Sequence, residues 1–309
     1  MKKIICILLA LMLLPLAPAL AEGQERTIVA SFYPIYIMAK NVLEGVEGVR
    51  LSVMTAPSTG CLHDYQLLIS DMRALSQAEI FLINGAGMEA FLPDVLPQFP
   101  DLEVVDCSRD VPLLCNEEAH DHDHGHEEAE EDHHDHDHGE YNPHIWLAPK
   151  NAIRMVENMA SALALALPEA ADRIEKNAAA YTARLTALDA ELDQAIKSLP
   201  HRDIVTFHEA FPYFADAYQL HVVAIVALEP ESPLSPRMVE DVVKKVQAAG
   251  NPPLFAEPQY QSPALTAISQ ETGAPVFILD SMATGPDTLT AYEEAMRSNL
   301  KVLRQALGD

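Results

Sequence analysis

Residues 168–198, PEAADRIEKNAAAYTARLTALDAELDQAIKS, decide how the chain is organised. Tyr181, Leu185, Leu188, Leu192 and Ile196 recur at spacings of 4, 3, 4 and 4. That periodicity places one apolar stripe along one face of a helix. Pro168 suits a first helical turn, where its missing N–H costs nothing. A helix of about 30 residues is about 45 Å long, enough to run across two domains.

On both sides of this segment, strand-like and helix-like patterns alternate. Upstream, strands are predicted at 27–32, 49–54, 80–85 and 102–106. Helices fall at 34–43, 70–77, 88–96 and 151–167. Downstream, strands are predicted at 203–207, 222–228, 253–256 and 276–280. Helices fall at 208–218, 236–249, 262–272 and 288–307. Such alternation predicts parallel α/β sheets. The expected fold is therefore α/β, with two similar lobes of about four parallel strands each. One long α-helix joins them, and a cleft lies between. With 309 residues, the chain is long enough for a core in each lobe. The expected boundaries are 22–167 for the first lobe, 168–198 for the linking helix and 199–309 for the second lobe.

The first 21 residues predict a signal peptide. Lys2 and Lys3 precede an apolar run from Ile4 to Leu16, which is too short to span a bilayer. Ala19-Leu20-Ala21 is a small-x-small cleavage signal. The expectation is an exported, periplasmic protein cleaved near Ala21. Cys6 lies inside the run and none follows it closely, which argues against a lipid-anchored product. Three cysteines remain after cleavage: Cys61, Cys107 and Cys115. An oxidising compartment allows one disulfide. Cys107 and Cys115 are the expected pair because they are near in sequence, which leaves Cys61 over.

Residues 117–140 form a low-complexity insert with His120, His122, His124, His126, His133, His134, His136 and His138. It also holds twelve acidic residues and no Lys or Arg. Nothing in it can build a core, so a solvated loop is expected. These histidines are candidate low-affinity metal ligands, with an incidental charged loop as the alternative. Acidic neighbours favour the protonated imidazole, so capture there should weaken in acid. The whole chain carries Lys+Arg 20 against Asp+Glu 46, a net charge of −26. That excludes a nucleic-acid partner and suits a cationic ligand.

Ligands of open α/β sheets bind outside the carboxyl ends of the strands. Four candidate metal ligands fall at such ends or in adjoining loops: His63, His144, His208 and Asp280. Two come from each lobe, so a cleft between lobes could collect all four. Three imidazoles and one carboxylate suit Zn²⁺ and are compatible with Mn²⁺ or Fe²⁺. Each residue has a plainer reading. A lone histidine is commonly structural, an Asp at a strand end is commonly a helix cap, and the spacing is no local metal signature. Glu257 is a further candidate on the same terms, while His201 and His221 read as structural.

Several motifs give the sequence a recognisable pattern. They are His63-Asp64-Tyr65, Gly87-Met88-Glu89-Ala90-Phe91, Asn142-Pro143-His144-Ile145-Trp146-Leu147, Phe207-His208-Glu209-Ala210-Phe211, Ala256-Glu257-Pro258-Gln259 and Leu279-Asp280. In this order they resemble the zinc/manganese solute-binding proteins of ABC transporters, over essentially the whole mature chain. The resemblance implies that His63, His144 and His208 are the three histidine ligands and that Asp280 completes the site. Manganese-selective members usually carry Glu where His208 stands, so zinc is implied, with manganese or mixed uptake as the alternative. Leu62 departs from the proline common before the first ligand. The resemblance further implies a monomer that delivers the ion to an inner-membrane ABC permease driven by a cytoplasmic ATPase. No Walker-type glycine loop is present, so ATP hydrolysis would belong to that partner. Two other functions fit three histidines: a secreted zinc hydrolase and a zinc buffer that never meets a permease. The first lacks an HExxH helix or an obvious paired general base, and a fourth ligand would close the metal to substrate.

Overall fold

The computed structural model of the chain describes residues 25–56, 62, 65–115, 140–226, 234–259 and 263–308. The expected signal segment, the histidine-rich run, Cys61 and His63 lie outside the described residues. The first lobe opens with β1 (Arg26–Ala30), α1 (Tyr33–Val42) and β2 (Val49–Val53). It continues with α2 (Ile69–Gln77), β3 (Ile80–Ile83), the short α3 (Leu92–Val95) and β4 (Glu103–Asp106). Next come α4 (Pro149–Ala166) and the 27-residue α5 (Ala171–Lys197). The second lobe holds β5 (Asp203–Thr206), α6 (Pro212–Tyr218), β6 (His221–Ile225) and α7 (Pro236–Ala248). It ends with β7 (Leu254–Ala256), α8 (Pro263–Thr272), β8 (Val276–Ile278) and α9 (Ala291–Leu307).

The strand order is β2-β1-β3-β4 in one sheet and β6-β5-β7-β8 in the other, parallel throughout. The second lobe thus repeats the topology of the first. In each order the chain reverses its direction of travel across the sheet between two central strands: β1 and β3, then β5 and β7. Such a reversal opens a crevice beyond the carboxyl ends of those strands, where ligands bind.

The pleat sorts alternate strand residues to opposite faces. Ile28, Ala30, Ile80 and Leu82 face one core, while Val29, Phe81 and Ile83 face another under α2 and α3. In the second lobe Ile204 and Phe255 face the first of these cores, while Val205, Leu254 and Ala256 face a third beside α7 and α8. The inner faces of both sheets therefore share one continuous core, which also takes the buried stripe of α5. That stripe runs through Ile174, Ala178, Tyr181, Leu185, Leu188, Leu192 and Ile196. The helix packs against α1 from one lobe and α6 and α9 from the other. At about 1.5 Å per residue it is about 40 Å long.

Several helix starts differ from expectation: the connecting helix begins at Ala171, after a 3₁₀ turn at Pro168–Ala170, and α4 begins at Pro149 rather than 151. The helix expected at 208–218 begins only at Pro212, so His208 lies in the preceding loop. Pro212 has no N–H to donate and takes the first helical turn. The helix expected at 88–96 shrinks to Leu92–Val95 followed by one 3₁₀ turn, because Pro93 and Pro97 each restart the backbone. The last helix begins at Ala291 rather than 288. The expected Cys107–Cys115 disulfide is not formed, and both are free thiols. Cys107 is sunk in the shared core, and burial holds its thiol well above the ordinary range. Cys115 sits exposed at a single bridge to Tyr141. Among the described residues, no helix is long and apolar enough to cross a membrane.

Candidate metal centre

His208 and Glu257 stand just beyond β5 and β7, the two strands at the switch point of the second sheet. His208 Nδ1 lies 3.0 Å from Glu257 Oε1, with the side chains 1% and 2% exposed. With the carboxylate as acceptor, Nδ1 is the donor and Nε2 is turned away from Glu257. The other Glu257 oxygen, Oε2, is buried with no hydrogen-bond partner among the described residues. A buried acceptor of that kind suits a site built for a cation.

His144 reaches the same place from the first lobe. Asn142 Oδ1 accepts from the His144 backbone N–H at 3.0 Å and from Nδ1 at 3.2 Å. The first contact is an Asx turn, the ordinary local use of an asparagine two residues upstream. Asn142 Nδ2 donates to Glu209 O at 2.9 Å, which fixes which end of the amide faces the imidazole. His144 is thereby set with its proton on Nδ1 as well. Its ring centre lies 4.8 Å from that of His208, at 82° between planes.

The His144 loop is held over the switch point of the first sheet. Asn84, just past β3, donates from Nδ2 to Pro143 O at 2.9 Å. Phe32, just past β1, packs edge-on against Trp146 with centroids 5.1 Å apart. Trp146 is fully buried and crosses to the second lobe, where its Nε1 donates to Ser281 O at 2.9 Å. Tyr292 on α9 returns the link by donating to Trp146 O at 2.7 Å. Beneath the loop, Glu89 accepts from the N–H groups of Asn84 and Gly85 at 2.8 and 3.1 Å. Burial pushes its carboxyl up to about 7. Gly85 is required there: its φ is +77°, and a Cβ would sit 2.0 Å from Asp106 Oδ1.

Asp280 lies two residues beyond β8. Its backbone N–H donates to Asn299 Oδ1, and its carbonyl accepts from Asn299 Nδ2, both at 2.8 Å. Its Oδ1 accepts from Met282 N–H at 2.7 Å. Burial raises the Asp280 carboxyl above the usual carboxylate range, and the Glu257 charge raises it further. The structure therefore brings His144, His208 and Glu257 together and sets Asp280 within electrostatic reach of Glu257. Among the described residues, no three of these groups complete a metal cluster. On either side of His63, Leu62 is buried and Tyr65 donates to Asp71 Oδ2 at 2.7 Å. His201 and His221 take no part in this arrangement. His221 instead faces Asp203 at the surface, 3.1 Å away.

Sequence reading singled out Glu257 but missed Asn142 and Trp146 as supports. The Asn-Pro-His run was the signal for the first. Trp146 stands in the same motif, but its role comes from contacts across more than 130 positions.

The family model described as zinc-uptake complex component A, periplasmic, matches residues 28–306. The chain belongs to the ZnuA family. A curated relative, the zinc-binding lipoprotein AdcA of Streptococcus pneumoniae, is 31% identical over 319 residues. That match takes in 99% of this chain, which spans 61% of AdcA. The high-affinity zinc uptake system protein ZnuA of Brucella abortus is 28% identical over 92% of both chains. Among solved structures, Zn(II)-bound AdcA of Streptococcus pneumoniae matches with a TM-score of 0.75 at 25% identity. That likeness covers 92% of this chain and 58% of the other. The two-lobed α/β architecture with a connecting helix is thus that of the ZnuA family.

Proposed function

We propose that this chain captures Zn²⁺ outside the cytoplasm and delivers it to an ABC permease, and that it is not an enzyme. One observation carries the reading. Imidazoles from opposite lobes, His144 and His208, meet in a buried crevice with their ring centres 4.8 Å apart. Each has its Nδ1 taken by an oxygen acceptor, so each can present the Nε2 lone pair to one ion. Borderline-soft zinc favours such nitrogen donors. His63 would supply the third nitrogen and Asp280 a carboxylate that lowers the charge of the complex. Glu257 is committed to His208, as metal-bound histidines commonly require. Membership of a family described by zinc uptake supports the same reading.

Residues 117–140 would collect zinc weakly around this site. Zinc calorimetry of the whole chain should show one tight site and several weak ones. After deletion of 117–140 the weak sites should vanish and the tight one persist. Loss of the tight site on deletion would place the principal ligands in the insert. Zinc uptake that continues at wild-type rate in cells lacking the permease would oppose the delivery role.

A further inference from the structure

The loop that begins at Asp280 runs back to the first lobe and is fastened there twice. The inner fastening is the buried Trp146–Ser281 bond. The outer one is made by α1. Tyr33 Oη donates to Pro286 O at 2.9 Å, and Lys40 Nζ donates to Asp287 O at 3.0 Å while pairing with the Asp287 carboxylate. Lys40 and Asp287 are 28% and 65% exposed, so this fastening lies at the solvent edge. Gly285 makes the approach possible, because a Cβ there would stand 2.3 Å from Tyr33 Oη. Between the fastenings, Met282 is buried in the left-handed region at φ +57°, a conformation that costs energy for any residue with a side chain.

We propose that Tyr33 and Lys40 form a latch that holds the Asp280 loop closed, and that opening this latch sets the rate at which metal leaves the cleft. The inference rests on the zinc-capture reading. Both residues act through Asp280 and are positioning residues. Asp280 is fixed on α9 through Asn299 and Ser281 on Trp146, so release of the far end lets residues 282–287 swing about Ser281, relax Met282 and withdraw its N–H from Asp280 Oδ1. The inner fastening is shielded from water and stays made. The outer one is a solvent-edge ion pair and hydrogen bond, which can break at modest cost.

The test uses the chain lacking 117–140, loaded with Zn²⁺ and mixed by stopped flow with excess chelator. Lys40→Ala and Tyr33→Phe should each speed zinc release about five- to tenfold, with on-rates within about twofold of wild type. Lys40→Arg should restore slow release. Release at the wild-type rate in both variants would overturn the latch, as would acceleration that Lys40→Arg fails to reverse. Hydrogen exchange on the metal-free chain keeps the latch testable apart from the capture reading. Lys40→Ala should raise exchange about tenfold at Met282–Thr284, while the amides of α5 stay unchanged; unaltered exchange in the loop refutes the latch. A wild-type chain that fails to hold zinc tightly would instead sink the capture reading.

Discussion

Replacing Glu257 probes the centre without removing any proposed ligand. The His208–Glu257 contact is 3.0 Å and nearly solvent-free, at 1% and 2% side-chain exposure. A hydrogen bond to a charged group in such surroundings contributes about 1.5–3 kcal/mol. Affinity feels only the part of this bond that strengthens when the metal draws electrons from the imidazole through Nε2. Glu257→Gln keeps an oxygen acceptor but removes the charge, so zinc affinity should fall about tenfold, or about 1.4 kcal/mol. Glu257→Leu leaves the Nδ1–H buried and unpaired and frees the ring to turn, so the loss should approach about 100-fold. The assay is competition against a chelating dye at one pH, on the chain lacking 117–140. Trp146, the only tryptophan, lies 5.2 Å from the His144 ring, so its fluorescence checks that each variant keeps the cleft folded. Affinities within about twofold of wild type for both variants would refute the Nε2 assignment.

Other outcomes follow from the same geometry. His208→Glu should lower the ratio of zinc to manganese affinity about tenfold, because manganese prefers oxygen donors and higher coordination; competition titration of both ions reads it. Asp280→Ala should weaken zinc less than His208→Ala. Water can replace the carboxylate, whereas loss of the imidazole also strands the buried Glu257, and calorimetry on both variants ranks them. Glu89 gives a pH effect of definite sign. Its carboxyl rises from 4.5 to about 7 on folding, so the folded state holds the extra proton between those values. Stability from this group is present at the acid end of that window and is lost as pH rises through it, by about 3 kcal/mol at most. Urea unfolding of the metal-free chain at pH 5 and pH 8 should show this fall in wild type, and Glu89→Gln should lack it.

The connecting helix was readable because its stripe repeats over five apolar positions, and a buried face demands that periodicity. The parallel sheets were readable because βαβ units alternate strand and helix signals. Helix starts were less readable. Nothing in Phe207-His208-Glu209-Ala210-Phe211 forbids a helix, and only Pro212 shows where one must begin. His144 and His208 could be proposed from strand ends, but not their proximity, since 64 positions separate them and the shared core brings the lobes together. The Cys107–Cys115 pairing failed because nearness in sequence says nothing of side-chain direction. Cys107 points into the core, while Cys115 faces water. The fastening of the Asp280 loop was hidden for the same reason, since Tyr33 and Pro286 lie 253 positions apart.

In the proposed centre one zinc ion is held by imidazole nitrogens of both lobes and a carboxylate. Zinc K-edge absorption fine structure on the chain lacking 117–140, loaded with one equivalent, tests it most directly. About three imidazole nitrogens at about 2.0 Å and one oxygen at about 2.0–2.2 Å are expected, with the imidazole signal reduced by one ring in His208→Ala. A shell dominated by oxygen, a sulfur near 2.3 Å, or an imidazole count unchanged by His208→Ala would contradict it.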